Sequence, residues 1–265
     1  MPQVIVELNG PIMLLTLNRP KRLNAFTGTM LAIIADACAD AAVNDDIRCI
    51  VLTGAGGNFS SGADLRQMSG DSTDEDAIDL TQRRIDDPTF LERGFLKIGR
   101  PLKPIIVAIE GVAVAGGTEI MMGADIRVAG RSARYGLAEP RWSLYPTMGS
   151  AVRLPRQIPH TKAAEILLTG REVSADEAER MGLIGHVVDD GQPLTKALEI
   201  AEQICANGPI AVEAILETLR GSSGLSDEEG FANEVERNRR VFASEDAKEG
   251  PLAFVQKRKP IFRRR

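Results

Sequence analysis

Short hydrophobic runs separated by turn residues open the chain. Val4 to Leu8 and Ile12 to Leu17 are β-rich, and the intervening Asn9-Gly10 tolerates positive φ, so the pattern predicts a pair of strands closed by a tight turn. The period then changes. Between Thr29 and Ala42 apolar residues recur at Met30, Ile33, Ile34, Ala37 and Ala41, which is helical spacing, and Ile47 to Thr53 reads as a buried strand. A second round follows: a helix over Thr89 to Ile98, a β-branched strand over Ile105 to Ile109, a short helix starting near Gly117 and a strand over Ile126 to Ala129.

From about Thr161 the pattern is mostly helical. Ser174 and Glu177 are spaced as a capping box for a helix that stops at Gly182. Ala206 to Arg220, Asp227 to Arg240 and the segment after Ser244 have helical composition. The reading is an α/β core over residues 1–190 that carries the site, with a helical region over 191–265 suited to joining subunits. Gln67 to Asp87 is polar and acidic, which predicts a surface insertion between two apolar elements.

Composition narrows the function. The chain has 265 residues, enough for a full core without disulfides or metals. Its net charge of −5 argues against general nucleic-acid binding, which needs clustered positive charge. The one basic cluster, Lys257, Arg258, Lys259, Arg263, Arg264 and Arg265, is expected to be a solvated tail. Cys38, Cys49 and Cys205 are odd in number and widely spaced, so neither a disulfide framework nor a metal motif is expected. No apolar run approaches membrane-spanning length and no basic-then-apolar leader opens the chain, so a cytoplasmic protein without membrane contact is expected.

Two glycine-rich segments each follow a predicted strand: Gly54 to Leu65 and Gly111 to Gly130. Glycine lets backbone N–H groups approach a ligand, and a helix starting there adds the positive end of its dipole. Two such loops side by side would form an oxyanion hole. Glu119 follows Ala115-Gly116-Gly117-Thr118, which places a carboxylate in the first helical turn beside those amides. His160 and His186 lie in no nucleophile or metal spacing, and the nucleophile elbow, the P-loop and the dinucleotide fingerprint are all missing. Met68, Met121, Met122 and Met148 are candidates for lining an adaptable apolar pocket, with core packing the plainer role for Met121 and Met122; Trp142 is either a pocket wall or a core residue.

The order of four blocks is more specific than any one of them. NRPKRLNAF (18–26), VLTGAGGNFSSGADL (51–65), KPIIVAIEGVAVAGGTEIMMGADIRVA (103–129) and YGLAEPRWSLYPTMGSAVRL, followed by LLTGREVSADEAERMGLIGHVV, occur in sequence, with a weaker AFVQKRKPIF near the end. In this respect the chain resembles the crotonase, or enoyl-CoA hydratase/isomerase, superfamily over nearly its whole length. The resemblance implies a crotonase-like spiral of ββα units with a helical C-terminal region, assembled as a homotrimer or a dimer of trimers. It implies an acyl-CoA substrate, whose coenzyme A is part of the substrate, and no separate cofactor or metal.

By the same resemblance, the N–H groups of Ala63 and Gly116 hold the thioester oxygen. CoA is met by Lys21, Arg22, Ser61, Ala63 and Arg66, with Phe254 and Lys257 completing the site. Hydratases of this kind carry two glutamates, matched here by Glu119 and Glu139, which implies water-activating base and proton donor respectively in hydration of a 2-enoyl-CoA. Two acids in one cleft are not expected to ionise independently. The chain departs from the hydratase pattern at Ala138, where proline is usual, and at Pro140, which is expected to push Glu139 toward an extended backbone. The stretch Pro146-Thr147-Met148-Gly149-Ser150 is also altered. An isomerase of the same fold and a non-catalytic CoA-ester-binding protein therefore stand as alternatives, and an oxidoreductase is more remote.

Overall fold

The computed structural model describes residues 1–64 and 80–265. Its centre is a six-stranded sheet, in the order β1 (Val4–Asn9), β2 (Ile12–Leu17), β3 (Cys49–Gly54), β4 (Ile105–Ile109), β6 (Ile126–Gly130) and β9 (His186–Val188). β1 and β2 are antiparallel, with Asn9 opposite Ile12 and Gly10 at φ 58° in the turn. Every other neighbouring pair in this sheet is parallel. A second sheet has the order β5 (Val112–Val114), β7 (Arg134–Gly136), β8 (Glu172–Ser174).

Parallel strands need both faces covered, which is why β2, β3 and β4 read as nearly continuous apolar runs. Their alternate residues serve different layers. Met13, Leu15, Leu17, Ile50, Leu52, Ile105, Val107 and Ile109 join the larger core, together with Met30, Ile34, Ala37, Cys38 and Ala41 of helix α1 (Gly28–Val43). Ile12, Leu14, Cys49, Val51, Ile106 and Ala108 face the other way, onto Ala197 and Ala201 of the helix Pro193–Cys205. That helix therefore caps the sheet, and the small side chains at its contact let it lie close.

Most predicted elements are found with ends moved by a few residues. The helix expected over Thr89 to Ile98 is cut to Phe90–Gly94, because Leu96 and Gly99 take positive φ and turn the chain. Ser174 accepts from Glu177 N, but the carboxylate that would return the bond pairs with Arg171, so the capping box is half made. A full box forms at Ser226 and Glu229, ahead of the helix Asp227–Phe242. The basic tail is not merely solvated: Arg258 pairs with Glu249, Arg264 with Glu213 and Asp45, and Arg265 with Glu245. No helix among the described residues is long and apolar enough to cross a membrane.

One fully buried side chain ties the N-terminal segment to the loop after β3. Asn24 accepts from Arg19 N at 2.8 Å and donates to the carbonyls of Ala55 (2.9 Å) and Asn58 (2.7 Å). Its φ of 53° suits asparagine better than most residues. Asn24→Ala leaves these backbone groups without partners, and a loss of about 3 kcal/mol in urea-unfolding free energy is expected; a variant as stable as the parent would show that the loop holds itself.

Candidate active site

Two turns meet at the site, and a backbone bridge joins them. Ser60 N donates to Val112 O at 2.9 Å and Val114 N donates to Ser60 O at 3.0 Å, so the loop after β3 runs as a short parallel partner of β5. On its other side Ser61 N donates to Leu23 O, Phe26 N to Gly62 O and Asp64 N to Phe26 O. Residues 60–64 are thereby held from both flanks. The N–H of Ala63 donates to none of the described residues, and Ala63 itself is exposed.

The second turn joins β5 to the helix Gly116–Met121. Ala115 stands at φ 48°, ψ −121°, a conformation that glycine adopts easily and alanine does not. It is fixed by donation to Gly136 O at 2.7 Å and by acceptance from Glu119 N at 3.0 Å. This reversal turns the Gly116 N–H out of the helix, and it too donates to none of the described residues. Gly62, at φ 94°, allows the two turns to touch: a Cβ there would lie 2.7 Å from Ala115 Cβ and 3.0 Å from Gly116 N. A Cβ on Gly116 would lie 3.4 Å from Ala63 N, and the Phe95 ring closes that side. Phe95 is itself braced edge-on by Phe26, with centroids 5.1 Å apart.

Glu119 occupies the first turn of that helix and is only 4% exposed. Its Oε1 accepts from Met148 N and from Ser150 Oγ, both at 2.8 Å, and more distantly from Ser150 N at 3.5 Å. Burial raises its pKa most; the Ser150 hydroxyl opposes this, the charge of Glu139 adds to it, and the backbone donors oppose it. Glu139 is half-buried, with its pKa raised chiefly by burial, and its Oε2 is enclosed without a hydrogen-bond partner among the described residues. The two acids are thus electrostatic neighbours in opposite surroundings.

The expected extended backbone at Glu139 is not found. Glu139–Trp142 is a 3-10 helix, entered from Ala138 at φ −80°, ψ 0°. Pro140 falls in its first turn, where a missing N–H costs nothing, and Arg141 N to Ala138 O and Leu144 N to Glu139 O close the turn around it. Trp142 is neither core nor enclosed wall, being 71% exposed. Met121 and Met122 are core residues, and Met148 contributes its amide to Glu119. Both histidines are exposed, and no cluster of metal-binding side chains occurs among the described residues.

Of the residues expected to meet CoA, Lys21, Arg22 and Ser61 come together: Lys21 and Arg22 are exposed on the 3-10 helix Pro20–Arg22, and Ser61 Oγ lies 3.5 Å from Arg22 O. Phe254 (85% exposed) and Lys257 lie at the end of the last helix, with no hydrogen bond, ion pair or ring contact to that cluster among the described residues. Arg66 and Met68 fall outside the described residues. Two features escaped the sequence reading. Ala115 gave no signal, since nothing in Val-Ala-Gly-Gly marks a strained alanine. Ser150 did carry one, as a hydroxyl at the end of the altered stretch Pro146 to Ser150.

The raised carboxyls also set a pH dependence of stability. Glu139 holds its proton more tightly in the folded protein than a glutamate in the unfolded chain does, so its contribution is complete below the unfolded pKa and is lost as pH climbs through the folded one. Glu139→Gln removes the ionisation. The variant is expected to melt above the parent at about pH 8, with the gain vanishing toward about pH 4; calorimetric curves that stay parallel across this range would contradict the assignment.

Comparisons with known proteins identify the fold and the family. The enoyl-CoA hydratase/isomerase family profile matches residues 7–265. An enoyl-CoA hydratase of Mycobacterium tuberculosis is 49% identical over 268 residues, covering 100% of this chain and 97% of that protein. A solved enoyl-CoA hydratase from the same organism superposes with a TM-score of 0.89 at 35% identity, covering all of both chains. One from Bacillus anthracis gives 0.90 at 32% identity, over 99% of this chain and 100% of that one. The fold is the crotonase fold, and the chain belongs to the enoyl-CoA hydratase/isomerase family.

Proposed function

We propose that this protein is an enoyl-CoA hydratase that adds water across the double bond of a 2-enoyl-CoA thioester to give a 3-hydroxyacyl-CoA, as in fatty-acid breakdown. The observation that carries the reading is the pair of carboxyls of Glu119, buried on the helix that opens at Gly116, and Glu139, half-buried on a nearby turn, whose charge bears on Glu119. The amides of Ala63 and Gly116 receive the thioester oxygen as it gains negative charge, a task for which preorganised donors suit better than water. Glu119 takes a proton from the attacking water, and Glu139 delivers one to the α-carbon. The reaction calls for neither metal nor redox cofactor.

CoA is met along the edge that carries Lys21, Arg22, Ser61 and Ala63, with Arg66, which lies outside the described residues, and Phe254 and Lys257 completing that site. The division of the chain at about residue 190, into a site-bearing unit and a helical region for subunit contacts, belongs to the same proposal. So does assembly as a homotrimer or dimer of trimers in the cytoplasm, where the unpaired thiols of Cys38, Cys49 and Cys205 fit a reducing medium. Assembly is supported by the helix Asp227–Phe242, which buries no residue and lines Phe231, Val235 and Phe242 along one face, 65%, 57% and 74% exposed. Sedimentation at micromolar concentration is expected to give three or six chains for the parent, and lower mass for Phe231→Glu with Val235→Glu.

Loss of enoyl absorbance with crotonyl-CoA in water tests the reaction. Glu119→Gln and Glu139→Gln are each expected to lower turnover by about 10²- to 10⁴-fold while CoA-ester binding persists. Near-parental turnover in either variant removes that residue from the mechanism. Conversion of a 3-enoyl-CoA without hydration would favour the isomerase, and binding without turnover a CoA-ester carrier.

A further inference from the structure

We propose that Ser150 is a positioning residue for hydration: its hydroxyl, together with the Met148 amide, pins Glu119 Oε1 as an acceptor, so that Oε2 is the oxygen that takes the proton from water. The inference rests on the hydratase reading and extends it to the division of labour within the acid pair.

The geometry is one-sided. Met148 N is an obligate donor and sits 2.8 Å from Oε1, so that oxygen presents a lone pair to it, and a proton on this carboxyl is better placed on Oε2. The Ser150 hydroxyl, at the same distance, meets the same oxygen, and Ser150 N approaches it at 3.5 Å. All the hydrogen bonds that Glu119 receives through its side chain from described residues therefore converge on Oε1. Ser150 is fully buried and begins the helix Ser150–Gln157, whose N-terminal dipole also favours negative charge there.

The segment that presents these donors is itself held in place. Lys97 Nζ donates to Thr147 O at 2.9 Å, and Arg153 Nη2 donates to Leu96 O at 2.5 Å and Lys97 O at 2.9 Å. The donors are thus anchored to the loop that follows Phe95, whose ring borders Gly116. The Glu139 carboxyl has less support: only its own amide favours the ionised form, and its Oε2 is enclosed and unpartnered among the described residues. A proton shared between the two acids is therefore better placed on Glu139, and the negative charge on Glu119. The charged groups that bear on Glu119 are Glu139, from the 3-10 helix, and Arg153, from the helix that Ser150 begins. Serine supplies something a residue without a hydroxyl cannot: a second short donor to Oε1 that leaves the backbone where it is.

The test compares the full-length parent with Ser150→Ala and Ser150→Thr. The pH dependence of kcat/KM for crotonyl-CoA hydration is read beside a carbon-13 glutamate NMR titration, in which the Glu119 signal is assigned by its loss in Glu119→Gln. Removing the hydroxyl takes away a donor that favours the ionised acid, so Ser150→Ala should move both the acidic limb of the profile and the Glu119 midpoint to higher pH. Turnover near neutrality should fall about tenfold with KM little changed, and Ser150→Thr should restore both readouts. A Glu119 midpoint that coincides in Ser150→Ala and the parent overturns the proposal, even if turnover falls, because a purely structural role would cut the rate without moving the titration. A parent enzyme that hydrates no enoyl-CoA sinks the hydratase reading instead, while the NMR titration still decides whether Ser150 sets the charge on Glu119.

Discussion

The backbone bridge between Ser60 and the strand Val112–Val114 is the contact on which the site depends. It consists of two hydrogen bonds of ordinary length, yet it fixes the separation of two turns that come from strands far apart in sequence. Once Ser60 is zipped to this strand, Gly62 lies against Ala115, and the amides of Ala63 and Gly116 become neighbours. A side chain at Gly117 would meet Ser60 O at 2.4 Å, so the approach depends on glycine on both turns. The parallel sheet supplies the rigid base: β3 and β4 pair directly, the first turn leaves the end of β3, and the second leaves β5, which follows β4 after two residues.

Such a site opposes stability at several points. Ala115 is held in a conformation that alanine disfavours, and two carboxyls are withdrawn from water beside each other. What over-determines the arrangement is the surrounding packing. Phe26 and Phe95 brace one another beside Gly116, and Asn24 satisfies three backbone groups across the loop that leads to Ala63. The strain is carried by a core whose sheet is covered on both faces.

Much of this architecture was legible in the sequence because its signals are periodic or local. The buried strands at Ile12, Ile50 and Ile105 announce themselves by apolar runs, and the long helices by spacing of three and four. The three-residue strands at Val112, Arg134, Glu172 and His186 are too short to show any period, although they build the second sheet and one edge of the first. Glu119 stood out because its glycine-rich turn precedes it directly. The surroundings of Glu139 did not, since the donors that distinguish the two acids, at Met148 and Ser150, come after it in the chain and reach only Glu119 of the two. The strained Ala115 is fixed by Gly136 O, a tertiary contact that no local pattern encodes.

The departures around Glu139 are best understood together. Moving proline from before the glutamate to after it would redirect an extended strand, but within a 3-10 turn it merely occupies a position that needs no N–H. The turn survives, and Glu139 keeps its half-buried place near Glu119. The altered stretch that follows then changes the other acid. Its Ser150 adds a hydroxyl donor to Glu119 beside the Met148 amide, which any residue but proline would supply there, and nothing equivalent reaches Glu139 Oε2 among the described residues. Because the two acids feel each other's charge, strengthening the anion on one raises the cost of ionising the other. Under the proposed hydration, the serine thus widens the inequality that acid–base work on a double bond requires: one carboxyl ready to accept a proton and its neighbour still holding one.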